Sequence, residues 1–317
     1  MSLSILPTRS ATLPHSPARA IADSLVGPEL PLSWARGGVD APALTVRRLP
    51  LSRLSWVAYA DLPACYSFEQ LYGDWLADLP GAMIRGCGPA LAGFLSRQGW
   101  ATARAGVEAL VDLDGEGMRR RAVTKMVKQA RRHGAAREIP WSQEGARLLR
   151  AFAARARYGG RPQLHDLFRS EFVPGTRLFV FDRDDGAWQG AILISSPSPM
   201  AAVTELMLRA PDAPGGVMES LFVFAGAQLR EEGVRRLSLN EAPFYHLDDS
   251  DLRPGERLIS AVGQSLRYVY NAEGLLRFKA KFAPQWRPVY LCARPRLSLL
   301  VLAELFAASG CLRLALG

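Results

Sequence analysis

The segment from Glu205 to Phe244 constrains the fold more than any other part of the chain. Its pattern predicts a strand over residues 202–208, a Pro/Gly loop, a helix over 217–231 and a second strand over 236–240. This arrangement brings the free backbone N–H groups of a helix N-terminus beside the ends of two strands. Such a position suits an acyl group or a phosphate group.

The pattern around this segment predicts a mixed sheet with helices on its faces. Two further strands precede it, at 177–182 and 188–195, and a helix over 257–270 and a strand over 288–291 follow it. The order β-β-β-α-β-α-β is that of an acetyltransferase-like domain. Earlier in the chain the same rules predict strands at 54–60, 82–85 and 107–113, and helices at 68–79, 89–98, 115–134 and 142–158.

The length of 317 residues allows two ordinary domains. Residues 1–45 are rich in Pro, Ser and Ala without clear periodicity, which indicates a disordered or loosely docked arm. We expect a first domain over 46–165, a second, catalytic domain over 166–296, and an apolar C-terminal helix over 297–317. This last helix either packs on the core or lies in a membrane interface.

The net charge of +9 favours anionic partners such as nucleic acid, acidic lipid or phosphorylated ligands. The 4 cysteines lie far apart and the 4 histidines have no zinc spacing, so we expect reduced thiols and no metal. The chain has no signal peptide and no run of about 18 apolar residues, so no membrane-spanning helix is predicted. We therefore expect a cytoplasmic protein.

The helix expected over 115–134 is strongly basic, because residues 119–137 contain eight Lys or Arg and no acid. Four of these cations recur on one helical face: Arg121, Lys125, Lys128 and Arg132. Like charges at this spacing repel each other, so a face of a single sign indicates a phosphate partner. The partner is either the backbone or acceptor stem of a tRNA or an anionic lipid surface. The alternative is a basic face that contacts only water.

The loop Pro211–Gly216 opens a helix, where free N–H groups and the helix dipole attract anions. Gly215 and Gly216 come late in this loop compared with the glycines of acetyltransferases that use acyl-CoA. Pro211 and Pro214 also remove two donors that a pyrophosphate would use. The loop therefore disfavours acyl-CoA, and its alternative role is a structural turn.

Two carboxylates and two lysines are the candidate chemical groups. Glu205 lies within an apolar strand and Glu241 ends the next strand, so each either faces the surface or belongs to a site. Lys279 and Lys281 belong to the segment Phe278–Phe282, which we interpret as strand-like. In a strand both lysines would share one face, directed to the site or to solvent.

The motifs PDAPGGVMESLF (211–222) and FKAKFAPQW (278–286) resemble the catalytic domain of phosphatidylglycerol lysyltransferases. These enzymes are aminoacyl-tRNA-dependent aminoacyl-phosphatidylglycerol synthases, and the resemblance extends over roughly residues 50–295. It implies a tandem acetyltransferase-like (GNAT) fold, an α/β mixed sheet, an aminoacyl-tRNA donor, and no cofactor. It also implies that the basic helix binds tRNA.

The resemblance carries over to individual residues. In the family the strand containing Glu205 reads Asp-Leu-Met-Arg, and its Asp and Arg belong to the active site. Here Glu205 takes the Asp position and Leu208 the Arg position, while Arg209 would point to the opposite face unless a bulge intervenes. The active-site lysine of the family matches Lys279. The candidate substrate-binding residues are Arg209, Gly215, Gly216, Asn240 and Lys281.

The function implied is transfer of an aminoacyl group from tRNA to a hydroxyl of an acceptor lipid such as phosphatidylglycerol. Glu205 or Glu241 would bind the α-ammonium group or take the hydroxyl proton, and Lys279 would stabilise the oxyanion. The partners implied are aminoacyl-tRNA and an anionic phospholipid at the inner face of the membrane. The alternatives are an acyltransferase that uses acyl-CoA or acts on an amine or peptide, and a non-catalytic relative that binds nucleic acid or lipid.

Overall fold

The computed structural model describes residues 29–160, 164–245, 256 and 272–316. In these residues an 11-stranded mixed sheet forms the centre of the molecule, and helices cover its faces. The mixed α/β fold class expected from the sequence is confirmed. Among the helices of the described residues, none has the length and apolar character needed to cross a membrane.

In the described chain the first element is a short edge strand and the last two elements are helices. The strands are β1 (Ala35–Arg36), β2 (Ala43–Arg48), β3 (Ser55–Leu62), β4 (Ala82–Cys87), β5 (Ala101–Asp112), β6 (Ala135–Ile139), β7 (Arg177–Asp182), β8 (Trp188–Ser198), β9 (Ala201–Arg209), β10 (Arg236–Pro243) and β11 (Gln285–Arg294). The α-helices are α1 (Phe68–Leu71), α2 (Pro89–Arg97), α3 (Arg121–Ala130), α4 (Gln143–Arg155), α5 (Val217–Glu231), α6 (Ala272–Ala280), α7 (Leu299–Ala308) and α8 (Cys311–Leu316). A π-helical turn over Tyr72–Leu76 extends α1, and a 3-10 turn over Gly117–Arg119 precedes α3.

The strand order across the sheet is β1-β3-β4-β11-β5-β10-β9-β8-β7-β6, and β2 pairs with β3 outside this path. The pairs β1–β3, β3–β4 and β9–β10 are parallel, and the other pairs are antiparallel. Strand β11, the last in the described sheet, lies between β4 and β5 from the first half. One sheet therefore runs through both expected domains, and their division near residue 165 stays a prediction.

The core is divided among the elements that pack on the sheet. The largest apolar cluster surrounds α5 and includes Phe179, Phe222 and the α3 residues Val123 and Val127. A second cluster forms around Trp34 and α1, and a third lies where α7 packs on β3, β4 and β11. The apolar stripe that the sequence predicts for the basic helix is thus buried, which leaves its charged face outward.

Two segments differ from the sequence-based expectation. Residues 29–45 were expected to belong to an arm, but Trp34 is fully buried and β1 and β2 pair with β3. Burial of the large aromatic side chain of Trp34 removes apolar surface from water, which stabilises the docked segment relative to an exposed arm.

The segment containing Phe278 and Lys279 lies in the helix α6, so the strand-like interpretation is wrong. Residues 1–28 of the arm and the helix expected over 257–270 lie outside the described residues, apart from a single residue near the latter, Glu256.

The parallel pair β9–β10 opens after three residues. Ala201–Val203 pairs with Arg236–Ser238, and beyond this point the two strands separate. Both strands are irregular at the point of separation: β9 leaves Glu205 unpaired with β8, and the β10 register shifts between Ser238 and Glu241. Because bulges bend a strand and re-aim its side chains, the two irregularities produce an opening in the sheet.

Helix α3 packs against the start of α5 at a glycine. Gly216 has φ +92° and precedes α5, and a Cβ atom at this position would overlap the carbonyl oxygen of Met126 in α3. Gly233, after α5, has φ +93°, but a Cβ atom added there would meet no other atom within 4 Å. The two glycines therefore share a backbone conformation and differ in their surroundings.

We expect Gly233→Ala to lower the free energy of unfolding by about 1–2 kcal/mol, because alanine is strained at positive φ. Gly216→Ala should lose about 1–3 kcal/mol more, since the added methyl group forces α3 away from α5. Urea denaturation of both variants measures the difference. Equal losses would contradict the close approach of α3 at Gly216.

Candidate functional site

The opening between β9 and β10 is held by Asn240. This residue has φ +66°, a left-handed conformation that asparagine tolerates better than most residues. Its Nδ2 donates to the carbonyl oxygen of Thr204 at 2.8 Å, and its Oδ1 accepts from the N–H of Glu241 at 2.6 Å. The side chain thus replaces ladder hydrogen bonds that the separated strands no longer make.

Lys279 reaches into this opening from α6. Its side chain is 1% exposed, and its Nζ donates to the carbonyl oxygens of Asn240 at 2.9 Å and Glu241 at 2.7 Å. Burial lowers the pKa of Lys279 to about 7, against the opposing attraction of Glu241 and Glu108. The amine therefore contacts the backbone of β10, as expected of a residue that holds this strand in position.

Glu205 is buried on β9 and is surrounded by hydrogen-bond donors. Its Oε2 accepts from Ser33 Oγ at 2.7 Å and from the N–H of Arg169 at 3.0 Å, and its Oε1 accepts from Ser195 Oγ. Burial raises the pKa of Glu205, and the hydrogen bonds from Ser195, Arg169 and Ser33 offset part of this rise. The positive charge of Arg169 also opposes this rise, but burial is the largest effect, and a desolvated carboxylate is suited to accept a proton.

Glu241 on β10 has a charged partner. The guanidinium group of Arg85 on β4 forms an ion pair with the Glu241 carboxylate and also donates to the carbonyl oxygen of Leu167. The same carbonyl oxygen lies 3.5 Å from Ser33 Oγ, whose single hydroxyl proton is donated to Glu205 at 2.7 Å. The two carboxylates therefore lie on either side of Ser33 and Leu167, and we call these carboxylates and the buried polar residues that contact them the buried polar cluster.

Further ion pairs adjoin this cluster on β5 and β11. Arg287 contacts Glu108 at 2.6 Å and Glu29 at 2.6 Å. Glu108 is 2% exposed, and burial raises the pKa of Glu29. Paired charges reduce the cost of removing carboxylates from water, and Arg287 pairs with both acidic residues here.

A small pocket of about 150 Å³ lies at the start of α5 and is also lined by Phe278, the neighbour of Lys279 in α6. Its lining includes Arg209, Gly215, Gly216, Glu219 and Lys281. Lys281 Nζ contacts the Glu219 carboxylate at 2.6 Å, and the Arg209 guanidinium donates to the carbonyl oxygen of Ala213. The free N–H groups of a helix start and the Arg209 guanidinium give this pocket an anion-binding character, whereas the charge of Lys281 is paired with Glu219.

The structure distributes the residues singled out from the sequence over two neighbouring places. Glu205, Glu241, Lys279 and Asn240 belong to the buried polar cluster, whereas Arg209, Gly215, Gly216 and Lys281 line the pocket. Lys279 and Lys281 do not share one face as a strand would require: the first is buried and the second is 37% exposed. The catalytic and binding roles of all these residues stay predictions.

Arg209 lies at the end of β9, beyond an irregularity in this strand. Thr204 pairs with Ile194 and Leu206 pairs with Leu193, so Glu205 is the extra residue of a bulge. The bulge precedes the Leu206–Arg209 segment, which pairs with β8 in regular register, so it does not exchange the faces of Leu208 and Arg209. Arg209, and not Leu208, is the residue of this segment that lines the pocket.

The basic face of α3 borders the pocket. Met126 of α3 lines the pocket, and Gln129 lies near Gly215. The helix is shorter than the expected 115–134, so Arg121, Lys125 and Lys128 lie on α3, whereas Arg132 follows its last residue, Ala130. All four cations are exposed and, within the described part of the chain, form no ion pair. Because no acidic side chain of these described residues neutralises them, they present a positive surface next to the pocket.

Ser33, Arg85, Arg169 and Ser195 are members of the cluster that sequence reasoning missed. Each contributes to the surroundings of a carboxylate from another part of the chain, and no motif surrounds any of them. The only signal was the position of Arg85 within an otherwise apolar strand, because a buried cation requires a partner.

The chain resembles known proteins over most of its length. The family described as "Phosphatidylglycerol lysyltransferase, C-terminal" matches residues 63–293. The phosphatidylglycerol lysyltransferase of Bacillus subtilis is 34% identical over 98 residues, which are 31% of this chain and 11% of that protein. The lysylphosphatidylglycerol biosynthesis bifunctional protein LysX of Rhodococcus opacus is 27% identical over 73% of this chain and 22% of its own length.

A solved structure supports the fold. The structure of L-PGS from Bacillus licheniformis superimposes with a TM-score of 0.58 at 22% identity, over 76% of this chain and 75% of that chain. The chain spans less than a quarter of the length of the two curated relatives. Because the family match covers more than half of the chain, the protein belongs to the phosphatidylglycerol lysyltransferase C-terminal family.

Proposed function

We propose that the protein is an aminoacyltransferase that moves an aminoacyl group from aminoacyl-tRNA to a hydroxyl of a lipid such as phosphatidylglycerol. The observation that carries this proposal is the opening between β9 and β10, where the buried carboxylates Glu205 and Glu241 belong to one buried polar cluster. The acceptor is proposed from the Bacillus subtilis relative, which is a phosphatidylglycerol lysyltransferase.

The transfer exchanges one ester for another, so the protein has to bring the reactants together and to move a proton. We assign the acceptance of the hydroxyl proton to Glu205, because burial raises its pKa and its partners are neutral donors. Glu241, fixed by Arg85, would bind the α-ammonium group of the aminoacyl ester. Lys279 is then a positioning residue, since its amine contacts the backbone of β10.

The donor would approach from the side of α3. The pocket at the start of α5 offers backbone N–H groups and the Arg209 guanidinium to the phosphates near the 3′ end of the tRNA. The adjacent basic face of α3 would bind phosphates farther along the acceptor stem. We further propose two acetyltransferase-like domains divided near residue 165, and a cytoplasmic protein with peripheral contact to the membrane.

The direct test of this function is incubation of the protein with a panel of aminoacyl-tRNAs and phosphatidylglycerol, followed by mass spectrometry of the lipid. An aminoacylated lipid that depends on charged tRNA is the expected product. Transfer from acyl-CoA, or no product with any charged tRNA, would contradict the proposal.

We expect Glu205→Gln to lower the transfer rate by about 10²–10⁴-fold, because the amide cannot take the proton. Glu205→Asp keeps a carboxylate and should retain more activity. Since the pKa of Glu205 is raised, the wild-type rate should begin to fall on the acid side at a pH above the ordinary glutamate range. Rates measured across pH check both points, and a wild-type rate in Glu205→Gln would exclude Glu205 as the base.

The lowered pKa of Lys279 predicts a pH-dependent stability. Between pH 7 and the unfolded value near 10.5 the unfolded chain binds more protons, so folding becomes more favourable as pH rises. The free energy of unfolding of the wild type, relative to Lys279→Met, should therefore rise by at most about 1.4 kcal/mol per pH unit in this range.

Denaturation at several pH values measures this difference. Lys125→Met removes an exposed lysine from α3 and controls for the loss of a lysine. A constant difference between the wild type and Lys279→Met from pH 7 to pH 9 would contradict the assignment.

We expect reversal of Arg121, Lys125, Lys128 and Arg132 to Glu to weaken tRNA binding strongly. The log–log salt dependence should flatten by about one unit for each lost phosphate contact. Folding should survive, because these side chains are exposed opposite the buried Val123 and Val127.

The control reverses four exposed arginines elsewhere: Arg97, Arg150, Arg155 and Arg313. It changes the net charge equally and should leave most of the salt slope intact. If both variants lose the same tRNA affinity, the effect is one of net charge, and the specific role of α3 is rejected.

A further inference from the structure

The turn between β2 and β3 exposes an apolar side chain at its tip. The N–H of Leu49 donates to the carbonyl oxygen of Leu54 at 2.9 Å and closes the turn, which leaves Leu51 70% exposed. Arg53 in the same turn is also exposed. Turn tips are normally formed by Gly, Pro, Asn, Asp and Ser, so an exposed leucine beside an arginine is unusual.

Helix α7 presents two more leucines on the same side of the molecule. Leu299 is 59% exposed and Leu300 is 44% exposed, while Val301 and Leu305 pack into the core. The Glu304 carboxylate accepts from the N–H groups of Leu51 and Ser52 and so holds the turn against the helix. Leu300 lies one helical turn before Glu304, and therefore on the side of α7 that faces the turn.

Arginines surround these leucines. Arg48 and Arg53 flank the turn, and Arg296 precedes α7; all three are exposed. The one acid of the segment from Arg294 to Ala308 is Glu304, which is buried under the turn. We call Leu51, Leu299 and Leu300, together with Arg48, Arg53 and Arg296, the docking face.

The docking face is connected to the candidate site through α7. Phe306 of α7 stacks on Phe244 with ring centroids 5.8 Å apart, and Phe244 follows the strand that carries Glu241. The same helix therefore contacts the outside through its first turn and the end of β10 through its last turn. Helix α7 therefore links the docking face to the end of the strand that carries Glu241.

We propose that the docking face binds the surface of an anionic bilayer. Leucines next to arginines fit a partner that offers an apolar interior beneath negative headgroups. A second copy of the chain fits less well, because a two-fold interface would bring the same arginines together. The face would deliver the lipid acceptor to the Glu241 side of the cluster; this last step rests on the proposed function.

The test measures binding to vesicles of phosphatidylcholine alone and of phosphatidylcholine mixed with phosphatidylglycerol. The wild type should bind the mixed vesicles more tightly, and the double variant Leu51→Asp/Leu300→Asp should lose at least about tenfold in affinity. Arg53→Gln/Arg296→Gln should weaken binding by roughly fivefold per arginine and reduce its salt dependence. Vesicles containing phosphatidylserine should bind similarly if the charge, and not the glycerol headgroup, is recognised.

The matched control is Trp141→Asp/Leu148→Asp, which places the same charges on exposed apolar residues at α4. It should bind vesicles as the wild type does. Wild-type binding by Leu51→Asp/Leu300→Asp, or equal losses in the control, would overturn the proposal. A change of this variant from dimer to monomer with unchanged vesicle binding would assign the face to a second copy instead.

Turnover of a short-chain, water-soluble phosphatidylglycerol separates this inference from the proposed function. The leucine variant should keep that turnover while it loses activity on vesicles. If the wild type makes no aminoacylated lipid but loses vesicle binding through these substitutions, the docking face stands and the proposed function fails.

Discussion

The contact of Lys279 with the carbonyl oxygens of Asn240 and Glu241 is the interaction on which the rest of the site depends. Where β10 leaves β9, backbone groups lose their partners in the sheet, and a buried group without a partner is costly. The lysine amine and the Asn240 side chain supply the missing partners. The strands can therefore stay apart in the interior, and the opening becomes a stable part of the fold.

The opening explains why so many charges are buried around it. Glu205 is stabilised by hydroxyl and backbone donors, Glu241 by Arg85, and Glu108 by Arg287. A buried carboxylate without such partners would cost several kcal/mol. The partners come from β4, β8 and β11 and from the segments that contain Ser33 and Arg169, so the cluster is complete only when these separate parts of the chain have come together. The pKa values of Glu205 and Lys279 move in opposite senses for one reason, because burial disfavours the charged form of each.

The sequence predicted the second half of the fold well, since β7 and α5 have the predicted bounds and each has one clear period. It failed at Phe278–Phe282, where a spacing of four residues between aromatics satisfies a strand and a helix equally; both rings pack on Phe222 from α6 and the turn that follows it. It identified Glu205 and Glu241 but not their partners. Ser33 and Arg85 lie 172 and 156 residues from the carboxylates they contact, and only the folded topology brings them together.

The place of β11 in the sheet has a consequence for the order in which the molecule can form. In the described sheet, strands β4 and β5 are joined through β11, whose Arg287 lies 179 residues after Glu108 of β5. Contacts of such large sequence separation form slowly, because a long loop must close before they are made. During translation the edges of β4 and β5 that pair with β11 therefore stay unpaired until residues near 290 leave the ribosome. Unpaired strand edges are sites where a nascent chain can aggregate or be bound by chaperones.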